Sequence, residues 1–311
     1  MRLVIATRGS KLALWQSNYI KNELEKLGHE VELKVFKTKG DKILDTPLAL
    51  IGGKGLFTKE LEDAMLRGDA HLAVHSLKDV PTELPEGLIL GAITKREIVN
   101  DAFLSEKYES IEDLPPNAVV GTTSLRRRMQ LLHYRPDLTI KDLRGNVDTR
   151  IRKLREGEFD AIILAYAGLK RLGFLDAVRH IVPIDESLMI PAMGQAALGI
   201  ECVPEVLDIV RALDDEKSHI ETTVERDFVD CLQGGCQVPI GVRAQVLDNG
   251  DIVAKAVIGL PDGSQLLKDK IFGNVENYRE LGKALAESMI EAGAKELLQR
   301  AEEMAFSEHK R

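Results

Sequence analysis

One short stretch of the sequence places several side chains capable of acid–base chemistry next to one another. His75, Ser76, Lys78 and Asp79 directly follow the apolar run Leu72-Ala73-Val74, which is typical of a buried strand. A proline two residues after the last of them stops any helix and fixes a turn. A carboxylate held among cations stays ionised, can transfer protons and can stabilise a cationic intermediate. The alternative is a surface ion pair between Lys78 and Asp79, and the spacing alone favours neither interpretation.

Arginine side chains gather where predicted strands give way to predicted helices. Those that follow strand ends are Arg8, Arg126, Arg127, Arg144 and Arg150. In open α/β sheets ligands bind beyond the carboxyl ends of strands, and arginine adds paired donors that fit a carboxylate or phosphate. The pattern therefore predicts an anion-binding cleft, with phosphate, sulfate and polycarboxylates all left open by the spacing. Four other arginines are interpreted as parts of solvated helix faces: Arg128, Arg152, Arg155 and Arg179.

Two glycine-rich loops each carry one side chain of chemical interest. Cys236 follows Gly234-Gly235, and the glycines leave its thiol unobstructed for covalent chemistry. The alternative, a small inert hydrophobic residue, is preferred for Cys202 and Cys231. Lys54 lies in the second loop, Gly52–Phe57, where a mobile lid and a plain surface loop fit the sequence equally well.

The composition argues against several classes of protein. The 311 residues carry 50 acidic and 42 basic side chains, a formal net charge of −8, so we expect no nucleic acid partner. No apolar run approaches the roughly 20 residues that span a bilayer, and no signal peptide precedes the first predicted strand. We therefore expect a cytoplasmic protein with no membrane partner. The spacings of cysteine and histidine fit no metal site, so no metal is expected.

Strand-like and helix-like segments alternate along the first two hundred residues. This alternation predicts an α/β fold, and its restart near Asp101 divides it into two α/β lobes with mostly parallel sheets and a hinged cleft. The apolar segment Ala197–Ile200 is expected to return to the first sheet. Ser10, Thr58 and Ser124 are the predicted N-caps of three helices.

The last third of the chain has a different texture. Two strand-like segments, Ile252–Ile258 and Gln265–Ile271, flank a Pro-Asp-Gly turn and precede a region rich in Glu, Ala and Leu that is typical of helices. This pattern predicts a smaller C-terminal α+β domain. The predicted boundaries are residues 1–98 with 195–215 for domain 1, 99–194 for domain 2 and 216–311 for domain 3.

Seven segments of the sequence, taken in order, resemble the porphobilinogen deaminase family. They are Ala6-Thr7-Arg8-Gly9-Ser10 with Leu12–Gln16, Gly52–Phe57, His75–Pro81, Gly121–Arg127, Leu143–Val147, Asp160–Ala165 and Gly234–Ile240. Each is modest evidence alone, whereas the ordered set is very specific. The segments span residues 6–240, and the last seventy residues match the family by texture rather than by motif.

The resemblance implies a fold, an activity and a cofactor. Members of this family have three domains, of which the first two resemble two-lobed solute-binding proteins. They condense four porphobilinogen molecules head to tail, releasing ammonia, and then release the linear tetrapyrrole hydroxymethylbilane by hydrolysis. The growing chain is held on a dipyrromethane cofactor that is joined by a thioether to a cysteine, and the matching residue here is Cys236.

The resemblance also implies roles for individual residues. Asp79 matches the catalytic carboxylate, which holds pyrrole N–H groups, stabilises the positive charge formed when ammonia leaves and helps to move protons. Each pyrrole carries an acetate and a propionate arm, so a pyrrole chain is a polyanion. The residues expected to bind cofactor or substrate are Arg8, Ser10, Gln16, Asp41, Lys54, Ser76, Lys78, Thr122, Ser124, Arg126, Arg127, Arg144, Arg150, Arg171 and Gln195.

The sequence departs from the family pattern at a few positions. Leu50 stands where many relatives have a second lid lysine, and Ala196 replaces the commoner glycine, which is expected to stiffen the backbone there. Neither change touches Asp79 or Cys236. Two other functions remain as alternatives: a non-catalytic two-lobed anion receptor, and a cysteine-dependent transferase or hydrolase, which needs a histidine near Cys236. By resemblance to the family, a monomer is expected.

Overall fold

A computed structural model describes residues 1–38, 58–232 and 238–308. Three β-sheets with helices packed on them make up this part of the chain. It falls into two compact units, one formed by residues 1–38, 58–97 and 194–220 and the other by residues 98–193 and 221–308. The fold is therefore α/β with two sheet-and-helix lobes and a smaller C-terminal α+β part, as the sequence predicts.

The first sheet, here called sheet A, belongs to the first unit and has the strand order β2–β1–β3–β10–β4. Its strands are β1 (Arg2–Arg8), β2 (Glu30–Phe36), β3 (Leu72–Ser76), β4 (Ile89–Ile93) and β10 (Leu198–Cys202). Strand β10 pairs in antiparallel fashion with both β3 and β4. The predicted return of the Ala197–Ile200 segment to the first sheet is thus confirmed.

The second sheet, sheet B, belongs to the second unit and repeats the same arrangement with the order β7–β6–β8–β5–β9. Its strands are β5 (Asp101–Ser105), β6 (Val119–Gly121), β7 (Thr139–Lys141), β8 (Ala161–Ala165) and β9 (His180–Pro183). Strand β5 is the antiparallel member here, because it pairs in that sense with β8 and β9. Sequence patterning did not indicate β9, whose four residues are half-buried or exposed.

Each sheet is mostly parallel, as the sequence predicts, because four of its five strands run in the same direction; one strand, β10 in sheet A and β5 in sheet B, runs the other way and was not predicted to do so. Among the described pairings, each sheet has two that are parallel and two that are antiparallel. The physical reason is that a strand from a distant part of the chain runs back through each sheet. Alternation of apolar and helical segments reports local structure and carries no information on the direction of such a strand.

Helices cover both faces of each lobe's sheet. On sheet A, one face packs against α1 (Lys11–Lys26) and α6 (Leu207–Arg211), and the other against α2 (Lys59–Leu66). On sheet B, α3 (Leu125–Tyr134) covers one face, while α4 (Val147–Arg155) and α5 (Tyr166–Arg171) cover the other. Short 3₁₀ turns occupy Leu77–Asp79, Pro204–Val206 and Val275–Asn277.

The C-terminal part joins an antiparallel sheet, β11–β12–β13, to three helices. The strands are Ile240–Val246, Asp251–Gly259 and Leu266–Asn274, and the helices are α7 (Glu216–Cys231), α8 (Tyr278–Glu291) and α9 (Ala294–Glu308). Arg243 of β11 donates to Glu221 of α7 at 2.8 Å and lies 3.8 Å from Glu225, which ties the sheet to that helix. Within the three described ranges, no helix is long and apolar enough to cross a membrane.

Two of the three predicted N-caps make the expected side-chain hydrogen bond. Ser10 and Ser124 each accept a hydrogen bond from the backbone N–H three residues on, which confirms both as N-caps. Thr58 stands at the predicted start of α2, but its side chain makes no capping bond, so that part of the prediction is wrong. On α1, Trp15 stacks on Tyr19 with the ring centroids 5.5 Å apart and the planes within 4°.

Candidate active site

The carboxyl ends of β1 and β3 meet at one edge of sheet A, because the two strands are parallel neighbours. A pocket opens at this edge, with an empty volume of about 460 Å³ that includes space open to solvent. Five of the predicted site residues line it together: Arg8, Ser10, Gln16, Ser76 and Asp79. The structure therefore brings together at one pocket residues from motifs that are far apart along the chain.

Helix α1 supplies one wall of the pocket and is held to the strand beside it. Ser10 begins the helix by accepting from the N–H of Ala13 at 3.3 Å, which places the first turn at the pocket. One turn later the buried Gln16 Nε2 donates to Ser76 Oγ at 2.8 Å. This bond links the helix to the carboxyl end of β3 and fixes the Ser76 hydroxyl at the pocket surface.

Asp79 ends the 3₁₀ turn that follows β3, and it is solvent-exposed at the pocket. Leu77 at the start of the same turn is fully buried and anchors it to the core. Lys78 donates from Nζ to Gln195 Oε1 at 3.3 Å, so two predicted site residues contact each other there. A buried anchor and a side-chain tether thus hold a short loop that presents a carboxylate to solvent.

Behind the pocket, a histidine and two carboxylates are buried on the face of sheet A that α2 covers. His75 lines the pocket, and its Nε2 lies 3.0 Å from Glu201 Oε2 of β10. Glu201 has no exposed surface, and Glu62 of α2 is also buried. Burial raises the pKa of Glu62, and the nearby Glu201 carboxylate raises it further. Sequence reasoning missed both glutamates; Glu201 interrupts the apolar run of β10, whereas Glu62 lies among other charged residues and gives no such signal.

At the corresponding edge of sheet B, a turn of polar residues joins β6 to helix α3. Thr122 is buried, and its Oγ1 accepts from the N–H of Ser124 at 3.2 Å. Ser124 Oγ in turn accepts from the N–H of Arg127 at 3.4 Å. These bonds fix the first turn of α3, whose free N–H groups carry a partial positive charge toward this edge.

The first turn of α3 carries two arginines that are buried against one carboxylate, and we call Asp101, Arg126 and Arg127 the arginine cluster. Arg126 Nη1 donates to Asp101 Oδ2 at 2.7 Å, and Arg127 donates from Nε and Nη2 to Oδ1 at 3.0 and 2.8 Å. Asp101 has no exposed surface. Further donation to the carbonyls of Ile190 and Ile163 holds both guanidiniums in place.

The arginine cluster carries more positive than negative charge. Two guanidinium groups face one carboxylate, which leaves a net charge of about +1 in their ordinary ionisation states. Burial lowers the pKa of the Arg127 guanidinium, and the neighbouring Arg126 lowers it further, while Asp101 opposes both effects. A buried positive excess is costly unless an anion is bound nearby. Asp101 was not identified from the sequence; its signal is a lone acid at the start of an apolar strand.

Three further predicted arginines follow the other strands of sheet B that end at this edge. Arg144 and Arg150 are half-buried after β7, and Arg150 Nε donates to the carbonyl of Gly145 at 2.8 Å. Gly145 has a φ of +108°, a backbone conformation that favours glycine. Arg171 is half-buried at the end of α5, which follows β8. Because β6, β7 and β8 are parallel, the segments that carry these arginines follow strands that end at the edge where the arginine cluster lies.

The predicted residues fall into two groups within the described chain. Arg8, Ser10, Gln16, Ser76, Lys78, Asp79 and Gln195 belong to the unit of sheet A, and Thr122, Ser124, Arg126, Arg127, Arg144, Arg150 and Arg171 to the unit of sheet B. The predictions for Asp41, Lys54 and Cys236 concern positions outside the described residues. Among the residues that are described, no three His, Cys, Asp or Glu side chains are grouped so as to hold a metal ion.

The two groups define a protein that presents arginines and one exposed carboxylate at the carboxyl edges of α/β sheets. Sequence comparison gives the family. The family model described as "Porphobilinogen deaminase, dipyromethane cofactor binding domain" matches residues 3–210, and "Porphobilinogen deaminase, C-terminal domain" matches residues 219–291. The chain belongs to the porphobilinogen deaminase family.

Curated relatives match over the whole length of the chain. A porphobilinogen deaminase from a Nitratiruptor species is 80% identical over 310 residues, with 100% of each chain covered. The corresponding protein of Sulfurimonas denitrificans is 64% identical over 307 residues, covering 97% of this chain and 98% of the relative. Among solved structures, a TRAP periplasmic solute binding protein from Desulfovibrio salexigens aligns with a TM-score of 0.42 and 13% identity over 70% of this chain and 73% of that one.

The residues at the edge of sheet B fit the dipyrromethane cofactor that the family model names. Two linked pyrroles with acetate and propionate arms carry several carboxylates. The arginine cluster offers a buried positive excess and planar guanidinium donors, which is the donor set that carboxylates require. Arg144, Arg150 and Arg171 add further positive charge after strands that end at the same edge of the sheet.

Proposed function

We propose that this protein is a porphobilinogen deaminase, also called hydroxymethylbilane synthase. It joins four porphobilinogen molecules head to tail, releases one ammonia for each, and frees the linear tetrapyrrole hydroxymethylbilane by hydrolysis. The observation that carries this proposal is the family match along the chain combined with a pocket in which Asp79 lies beside Arg8 and Ser76. Such a pocket can hold both the acidic arms and the reacting ring of a pyrrole.

The cofactor is a dipyrromethane joined to Cys236 through a thioether. When bound, it supplies the pyrrole α-carbon to which the first substrate is attached. The chain's own contribution is to hold the carboxylates, through Arg126, Arg127 and Arg144 together with the remaining arginines of sheet B and the hydroxyls of Thr122 and Ser124. Asp101 sets the positions of Arg126 and Arg127, since both guanidiniums share its carboxylate.

Asp79 is the catalytic carboxylate in this proposal. Its exposed position allows it to accept hydrogen bonds from pyrrole N–H groups and to stabilise the positive charge that develops as the C–N bond of the aminomethyl group breaks. Arg8 and Ser10 bind the acidic arms of the incoming substrate, and Gln16 holds Ser76 in place for the same purpose. Lys78 and Gln195 fix the turn on which Asp79 lies, while Asp41 and Lys54 also bind cofactor or substrate.

The organisation of the molecule is part of the proposal. Residues 1–98 with 195–215 form domain 1, residues 99–194 form domain 2 and residues 216–311 form domain 3, a division supported by the fact that each range holds one sheet. The protein acts as a monomer in the cytoplasm, without a nucleic acid or membrane partner. Its net charge of −8 supports the absence of nucleic acid.

Replacing Asp79 by alanine tests the catalytic assignment. Loss of a positioned charge that acts mainly in the transition state should lower kcat by about 100-fold or more and leave substrate binding largely intact. The matched control is Glu86→Ala, which removes an exposed carboxylate from the same loop region and should leave kcat unchanged. A wild-type rate of hydroxymethylbilane formation in Asp79→Ala would remove this residue from the catalytic role.

The intact mass of the denatured protein tests the cofactor. An excess equal to two linked pyrrole units is expected in the wild type and should be absent or labile in Cys236→Ser. Cys231→Ser, the control, should keep the excess. If the bare chain gains no mass after incubation with porphobilinogen, the proposed function fails, and an anion receptor becomes the better interpretation.

A further inference from the structure

A histidine–carboxylate pair contacts the same pocket as Asp79 and has no part in the proposed roles above. His75 lies on β3 next to Ser76 and lines the pocket. Its Nε2 atom lies 3.0 Å from Glu201 Oε2, and the exposed fractions of the two side chains are 5% and 0%. Because an ionised carboxylate only accepts hydrogen bonds, the ring N–H is assigned to Nε2. The ring is therefore held in one orientation by a buried carboxylate, as in sites where a histidine serves as a general base.

Within the described residues, the bonding of Glu201 is uneven. There its Oε1 atom is buried and has no hydrogen-bond partner, and His75 makes the one bond to its other oxygen. Most buried polar atoms in folded proteins are hydrogen-bonded, so a buried carboxylate with a single bond calls for an explanation.

Further charged groups surround the pair. Glu62 from α2 adds a second buried carboxylate on the same face of the sheet; its pKa is raised by burial and by Glu201 and is partly lowered by His75. The groups that face His75 are therefore Glu201 from β10 and Glu62 from α2, with Arg8 and Asp79 at the pocket.

We propose that His75, oriented by Glu201, is the base that removes the proton from the pyrrole α-carbon after each new carbon–carbon bond forms. This inference rests on the proposed function. The C–N bond of the substrate breaks with its electron pair leaving on ammonia, and the π-electrons of the chain's free α-carbon form the C–C bond. The C–H bond at that carbon then breaks, its electron pair returns to the ring, and the proton passes to His75 Nδ1. Ammonia or water subsequently takes the proton from the imidazolium.

This assignment divides the work between two groups in one pocket. Asp79 stabilises positive charge while the C–N bond breaks, and His75 acts afterwards on the C–H bond. The two steps place different demands on a group, because the first requires one that stays ionised throughout and the second one that takes up the proton. An exposed carboxylate suits the first step, and a buried imidazole paired with a carboxylate suits the second.

The test uses His75→Gln in the cofactor-loaded enzyme, with porphobilinogen deuterated at its free α-carbon. Glutamine keeps an N–H donor for Glu201 and cannot act as a base. We expect kcat to fall by about 100-fold or more. We also expect the deuterium isotope effect on kcat to rise well above that of the wild type, because loss of the α-proton becomes rate-limiting. Glu201→Gln should change both quantities in the same direction by a smaller factor.

His219→Asn is the matched control. The Nδ1 atom of His219 lies 3.1 Å from Asp214, so this residue is also paired with a carboxylate, but it does not line the pocket. The control should keep the wild-type kcat and isotope effect. A structural role for His75 predicts lower thermal stability or cofactor content in His75→Gln with an unchanged isotope effect, and that result would overturn the proposal.

The outcomes separate this inference from the proposed function. If the wild type forms hydroxymethylbilane and His75→Gln does so with the same kcat and isotope effect, the inference fails and the function stands. If the wild type itself forms no product, the proposed function fails. Should His75→Gln not fold, Glu201→Gln decides the matter alone, because an isotope effect equal to that of the wild type contradicts the role of the pair.

Discussion

Sheets A and B have the same strand arrangement, and each buries one acid on its antiparallel strand, yet the two acids have opposite surroundings. Asp101 of β5 is shared by two arginines, which gives a net positive cluster. Glu201 of β10 has, among the described residues, one histidine partner, an oxygen with no partner and a second carboxylate nearby. The same fold thus holds a buried pair of arginines on one carboxylate in one lobe and a buried histidine–carboxylate pair in the other.

The difference shows that strand topology does not decide the chemistry of a lobe. What decides it is the neighbouring helix, since α3 brings two arginines to sheet B and α2 brings a glutamate to sheet A. A comparison of two such lobes by fold alone would miss this, in keeping with the general separation of fold from function.

The largest effect expected from this comparison is on stability, in Asp101→Asn. The change leaves two buried guanidiniums without their carboxylate, which should lower the free energy of unfolding by about 3–5 kcal/mol. Urea denaturation followed by circular dichroism measures it. Asp137→Asn is the control, because its carboxylate pairs with Arg135 at 2.6 Å near the surface and should contribute less than about 1 kcal/mol.

Glu201→Gln is the counterpart of Asp101→Asn in sheet A, and it should be close to neutral in stability. Its carboxylate accepts one seen hydrogen bond, which an amide oxygen can also accept. If both substitutions destabilise to the same degree, both acids are structural, and the contrast between the two lobes does not hold.

An intermediate effect of opposite sign is expected just before β10. Ala196 has a φ of +74°, in the left-handed region that costs an alanine about 1–2 kcal/mol. Ala196→Gly should therefore raise the free energy of unfolding, by about 1 kcal/mol after the extra chain entropy of glycine is counted. The same urea titration measures the gain.

Asn117, just before β6 of sheet B, provides the comparison for Ala196. It has a φ of +63°, but asparagine tolerates this region well. Asn117→Gly should thus raise the free energy of unfolding by less than Ala196→Gly does. An equal gain at both positions would mean that the backbone angle of Ala196 stores no particular strain.

The smallest expected effect is a pH dependence of stability that comes from Glu62. Because burial raises the pKa of Glu62 above its ordinary value of 4.5, the folded state binds the proton more tightly than the unfolded state does. The stabilising contribution of Glu62 to the free energy of unfolding is fully present below pH 4.5 and is lost as the pH rises through the raised pKa. Glu62→Gln should therefore become more stable relative to the wild type as the pH rises, as measured by thermal unfolding across this range.

Glu112 on the unit of sheet B should behave in the opposite way. A hydrogen bond from Tyr134 lowers the pKa of this exposed carboxylate, so its contribution is present above the ordinary pKa of a glutamate and is lost as the pH falls. Glu112→Gln should thus become less stable relative to the wild type as the pH rises. If the stabilities of the two variants change with pH in the same direction, the upward pKa shift assigned to Glu62 is contradicted.

Much of the fold and of the pocket could be predicted from local signals. Ser10 and Ser124 were recognisable as caps, and the strand-end positions of Arg8, Ser76 and Asp79 pointed to a common edge. Asp101 and Glu201 could not be assigned a role, since their partners lie 25 or more residues away and are set by the sheet and helix packing. The directions of β5 and β10 escaped prediction for the same reason.

Trp15 is the one tryptophan in the sequence, and it lies on α1 directly before Gln16, which lines the pocket. Light at wavelengths that tyrosine does not absorb therefore excites a single position in the whole chain. Its stacking on Tyr19 makes the emission sensitive to small movements of this helix. The molecule thus contains its own optical reporter for the lobe of sheet A, and stopped-flow fluorescence can follow the arrival of successive substrates there without an attached dye.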